Sequence, residues 1–140
     1  MRYLLDTNAI SEWVKPRPDP GIVRWLDEVD EDRTYLSVIA LGGLRQGVDR
    51  LAAGRRRNRL EQWLTGEHPD RFGERILPVD AAVADEWGRL LAQAENAGAG
   101  VGGMDALISA TAKVHGPQAV ARGVAHFQHT GVDVISPWHG

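Results

Sequence analysis

The stretch Tyr3-Leu4-Leu5-Asp6-Thr7-Asn8 decides the reading of this chain. A short apolar run that ends in a carboxylate and leads into a helix places Asp6 at the carboxyl end of a buried strand. Open parallel sheets bind their ligands at that edge. Working outward, further short runs rich in Leu, Val and Ile fall at residues 35–36, 76–79, 118–121 and 132–135, and longer stretches of helical period separate them. That alternation predicts an α/β fold with a mostly parallel central sheet of about five strands flanked by helices. The expected organisation is one domain over residues 1–140.

The helices announce themselves by their caps. Asp19 followed by Pro20 opens a helix with Ile22, Trp25, Leu26 and Val29 on one face. Ser37 opens a second, over 38–51, with Val38, Leu41, Leu44, Val48 and Leu51 turned inward. Asp80 opens a third, with an apolar stripe of Val83, Trp87, Leu90, Leu91 and Ala94. A fourth runs over 105–115 and is stopped by Gly116-Pro117.

Composition narrows the function classes. At 140 residues the chain can bury about two-thirds of its unfolded surface without a staple, and 43% hydrophobic with 25% charged residues is ordinary globular usage. Cysteine is absent, so there is neither a disulfide nor a thiolate ligand, and a reducing cytoplasm is the expected compartment. The N-terminal apolar run is too short for an export signal, and no run approaches the roughly 20 residues that cross a bilayer. A net charge of −3 gives no global attraction to nucleic acid. Phosphate contacts therefore fall to a local patch such as Arg55-Arg56-Arg57-Asn58-Arg59, which reads either as a solvated helix start or as a footing for RNA or an acidic partner.

Two aspartates carry the candidate chemistry. Asp6 ends the first strand; Asp105 opens a helix behind Met104 and before Ala106-Leu107. Each alone also reads as a helix cap. Brought to one sheet edge, the pair forms a minimal Mg²⁺ site, because that ion is typically held by one or two carboxylates, waters and substrate phosphates. The letters Gly98-Ala99-Gly100-Val101-Gly102-Gly103 satisfy a dinucleotide fingerprint, but they follow a helix rather than a first strand, and a flexible loop delivering Asp105 explains them.

Leu4-Leu5-Asp6-Thr7-Asn8-Ala9-Ile10-Ser11-Glu12 resembles the opening of PIN-domain toxins of the VapC type. Lys15-Pro16-Arg17-Pro18, Tyr35-Leu36-Ser37-Val38-Ile39, Arg75-Ile76-Leu77-Pro78-Val79-Asp80, Met104-Asp105-Ala106-Leu107-Ile108 and Ser136-Pro137-Trp138 resemble later family segments in family order. The resemblance implies a PIN fold, an endoribonuclease dependent on Mg²⁺ or Mn²⁺, and a toxin neutralised by a small cognate antitoxin, commonly as a homodimer. It makes Asp6 and Asp105 the metal-binding and catalytic residues and gives Thr7, Asn8 and Ser37 as polar support; Arg55, Arg56 and Arg57 of the basic patch, with Arg122, are the candidate RNA contacts.

Two departures stand against the pattern. Where such toxins read Gly-Glu-Leu, this chain reads Gly42-Gly43-Leu44, and where they carry Thr-Arg-Asn or Thr-Arg-Asp followed by an acid before Phe, it has Ala121-Arg122-Gly123 and then His126-Phe127. Glycine inside a helix costs roughly 1 kcal/mol relative to alanine, so Gly43 reads as helping neither fold nor chemistry. His126 reads as a loop residue or as a nitrogen ligand favouring Mn²⁺. The expectation is a weakened ribonuclease. The alternative is an inactive PIN domain that binds antitoxin or dimerises, and a phosphoacceptor domain built on Asp6 is a distant third.

Overall fold

A computed structural model of the chain describes residues 1–13, 15, 17–67, 72–98, 102–122, 127 and 130–138. Five parallel strands form a single sheet: β1 (Tyr3–Leu5), β2 (Thr34–Ser37), β3 (Ile76–Leu77), β4 (Gln118–Val120) and β5 (Val134–Ile135), in the order β3-β2-β1-β4-β5. The expected strands are all present, most trimmed by a residue or two. β1 lies at the centre, paired Leu4 to Tyr35 on one side and Leu4 to Ala119 on the other.

Helices cover both faces, which is why the central strands read as continuous apolar runs. On one face Leu5, Leu36 and Val120 pack with α1 (Thr7–Trp13), α2 (Pro20–Glu28), α3 (Val38–Arg50) and α4 (Arg55–Gln62), the last continued by a wider turn through Trp63–Glu67. The opposite face presents Leu4, Tyr35 and Leu77 to α6 (Gly103–His115), against which α5 (Ala81–Asn96) packs in turn. Adjacent residues of one strand thus serve different cores, as the pleat demands.

The cap signals hold. Asp19 accepts from the Gly21 and Ile22 amides, Ser37 from Ile39 and Asp80 from Val83. Gly116, at φ +95°, closes α6 in the left-handed conformation that glycine adopts without penalty. One expectation is corrected: Val38 is 39% exposed, because as the first residue of α3 it precedes the inward stripe, which begins at Ala40 and continues through Leu44 and Val48. α6 also begins two residues earlier than expected, at Gly103. No helix among the described residues is long and apolar enough to cross a membrane.

Candidate metal and phosphodiester site

The strand order creates a switch point. From β1 the chain moves outward to β2 and β3, then returns to the other side of β1 for β4 and β5. Connections leaving β1 and β4 diverge, and the crevice between them at the carboxyl edge is where open α/β sheets hold ligands. Asp6 stands in it. Its N–H donates to the Val120 carbonyl at 3.0 Å, which carries the pairing with β4 one residue past the end of β1. Its buried carboxylate accepts the Thr7 N–H on Oδ1 at 2.8 Å and the Asn8 side-chain amide on Oδ2 at 3.5 Å. Thr7 and Asn8 therefore hold the carboxylate in place.

Ser37 ends β2 at the same edge, fully buried, with Oγ accepting the Ile39 N–H at 3.1 Å. Asp105 arrives from the other face of the sheet. α6 turns at Gly116 directly into β4, so its first residues lie over the edge at which β4 ends. Asp105 is half-buried in that first turn, and its Oδ2 lies 3.4 Å from where a Cβ on Gly102 would stand, so the carboxylate sits against the residue that precedes the helix.

Position 43 adjoins the same site. A Cβ on Gly43 would meet Thr7 Oγ1 at 3.1 Å and Thr7 Cγ2 at 3.5 Å, whereas one on Gly42 would meet nothing within 4 Å. The view that Gly43 does nothing for the fold is corrected, since it lets α3 lie close against the first residue of α1. Among the described residues no three His, Cys, Asp or Glu side chains gather as a metal cluster. The oxygen groups that these elements offer are the Asp6 carboxylate, with neutral oxygens beside it, and the Asp105 carboxylate at the start of α6. Hard cations that keep waters and recruit phosphate oxygens fit such a set; a closed tetrahedral zinc site does not.

The sequence matches the PIN-domain family over residues 3–131. The chain belongs to the PIN-domain family. This PIN domain is of the VapC type: it is 37% identical over 135 residues to VapC ribonuclease Y4jK of Sinorhizobium fredii, covering 96% of each chain. It is 38% identical over 136 residues to toxin FitB of Neisseria gonorrhoeae, covering 97% of this chain and 98% of that one. In structure it is similar to FitAcB from Neisseria gonorrhoeae, with TM-score 0.91, 37% identity and 99% of both chains covered. It is also similar to FitAB bound to the IR36 DNA fragment, with TM-score 0.89 and 36% identity over 99% of this chain and 96% of that one.

The remaining candidate residues of this PIN domain divide by position. Arg122 is exposed two residues beyond Val120, the residue whose carbonyl accepts the Asp6 amide, and Ser136 Oγ donates to the Arg122 carbonyl at 3.2 Å. Arg55, Arg56 and Arg57 are not brought to the edge. They open α4 past the far end of α3, whose 13 residues span about 20 Å. Arg57 donates to the Leu51 carbonyl at 3.1 Å and so ties down the end of α3. Gly123 and His126 lie outside the described residues, as do residues 99–101 of the glycine-rich loop.

Sequence reasoning passed over Glu12. It is 6% exposed, takes Lys15 Nζ at 2.6 Å on Oε2 and accepts the Asp19 N–H at 3.0 Å on Oε1. Burial pushes its carboxyl up, but Lys15, the Asp19 amide and Arg122 outweigh that and hold it below the ordinary glutamate range. A Lys three residues after a Glu was the available signal. That the Glu12 carboxylate is buried depends on the return of the chain to Asp19, whose amide donates to it.

Proposed function

We propose that this PIN domain is the toxin of a toxin-antitoxin pair and an endoribonuclease, with Asp6 and Asp105 holding a Mg²⁺ or Mn²⁺ ion. The observation that carries it is the topology: a buried aspartate at the end of the central strand and a second aspartate in the first turn of α6, at one switch-point edge. The names of its relatives, a VapC ribonuclease and the toxin FitB, support the activity class. The FitAB structure on DNA supports a two-chain system, and we place a small cognate antitoxin as partner. A homodimer acting in the cytoplasm belongs to the same reading.

When bound, the cation supplies an activated water and stabilises charge on the phosphate and the leaving oxygen. The chain supplies the frame. Thr7 and Asn8 orient the Asp6 carboxylate, and Ser37 fixes the start of α3 beside them. Arg122 adds positive charge where a phosphodiester would lie. Arg55, Arg56 and Arg57 reach only RNA that extends well past the cut.

With no acidic side chain at Gly43, less charge offsets dehydration of the ion, and we infer weakened catalysis. The same observation favours a second reading, an inactive domain retained for binding antitoxin. Cleavage of a structured RNA panel with Mg²⁺, Mn²⁺ or EDTA, beside Asp6→Asn and Gly43→Glu, tests both. Metal-dependent cleavage lost in Asp6→Asn is the result expected. Cleavage by Gly43→Glu alone would establish the second reading, and cleavage that persists in Asp6→Asn or in EDTA would overturn the first.

A further inference from the structure

α6 begins under poor local control. Four of the six residues from 98 to 103 are glycine, and the N-cap, Gly102, offers no side-chain hydrogen bond to the first turn, unlike Asp19, Ser37 and Asp80 at their helices. Glycine backbone is the least restricted of any residue, so this segment orders at the highest entropic cost. Yet Asp105 stands in that turn. Beside the backbone bond from the Ala106 N–H to the Gly102 carbonyl at 2.9 Å, a contact from the neighbouring helix reaches the turn: Trp87 Nε1–H of α5 donates to the Gly103 carbonyl at 3.3 Å. The indole is itself held, packed with Val83, Leu90, Leu107 and Ala110 where α5 lies on α6.

We propose that Trp87 is a positioning residue, whose indole N–H fixes the first turn of α6 and with it the place of the Asp105 carboxylate at the sheet edge. The ring and the hydrogen bond divide the work. The ring sets the distance between the two helices, and the N–H sets the rotation of the first turn about the α6 axis. The consequence for metal rests on Asp105 being a ligand, as proposed above; the consequence for the helix does not.

Trp87→Phe keeps an aromatic ring in the same cluster and removes the donor. Amide hydrogen exchange over residues 102–106 should become roughly fivefold faster, with exchange in the sheet unchanged. Mn²⁺ binding to the RNA-free protein, followed by electron paramagnetic resonance, should weaken by about tenfold. Trp25→Phe is the control, because that ring stacks edge-on to Tyr3 at 5.1 Å on the opposite face of the sheet and should alter neither readout. Unchanged exchange at 102–106 in Trp87→Phe would overturn the tether whatever the metal does. Faster exchange with undiminished Mn²⁺ binding, where Asp105→Asn does lose the metal, would overturn the positioning of the carboxylate. If Asp105→Asn retains Mn²⁺ as well, the ligand reading of Asp105 fails, and faster exchange would still support the tether.

Discussion

Gly42 and Gly43 are neighbours in α3 with opposite surroundings. Space around Gly42 is open, so Gly42→Ala should stabilise the protein by about 1 kcal/mol through helix propensity alone. Gly43→Ala should gain little or nothing, because its methyl meets the Thr7 side chain at 3.1 Å. In a double-mutant cycle read by urea unfolding, Thr7→Ala should return the missing gain to Gly43→Ala; additive effects would show that the two side chains do not compete. Glu12 offers a test of sign. Its folded pKa is depressed, so its contribution is complete above the unfolded value and drains away as pH falls through the folded one. Glu12→Gln should therefore cost about 1–2 kcal/mol at neutral pH, and the gap from wild type should close below about pH 4. A gap independent of pH would mean that the loss comes from packing.

At the scale of elements, Ser37 both ends β2 and caps α3, so Ser37→Ala should cost about 1 kcal/mol in thermal or chemical unfolding, with the loss localised by hydrogen exchange to the first turn of α3. Ser109, fully buried in α6 with no hydrogen-bond partner for Oγ among the described residues, is the reverse case: Ser109→Ala should stabilise by about 1 kcal/mol. These elements were legible to very different depths. Asp19-Pro20, Ser37 and Asp80 named their helix starts because a cap is a local contract between a side chain and the amides two or three residues on. The strands were legible because both faces are covered and Leu4, Leu5 and Leu36 need no alternation. Val38 was misread because the apolar stripe of α3 does not extend to its first residue. Asp6 and Asp105 could be picked out, but nothing local says that Gly43 abuts Thr7 or that the Trp87 indole reaches Gly103. Those contacts join elements whose relative placement only the assembled sheet defines.

For the whole molecule, the separation between Arg122 and the α4 arginines makes a prediction about substrate length. With RNA held without cleavage, Arg122→Ala should lower the salt slope of binding by about 0.7 for each phosphate that the guanidinium neutralises, even on a short oligonucleotide. Arg55→Ala and Arg56→Ala should do so only when the RNA is long enough to cover the roughly 20 Å along α3. Equal effects on the short strand would place the α4 arginines nearer the scissile bond than this fold allows. Finally, the central strand is synthesised before the other strands of its sheet, while Val120, whose carbonyl receives the Asp6 amide, follows more than a hundred residues later. During translation the crevice therefore has one wall until β4 has emerged, and a chain broken off before Gln118 never gains the other. Timing is built into the strand order: the proposed metal site has no second wall until β4 has followed β1 off the ribosome.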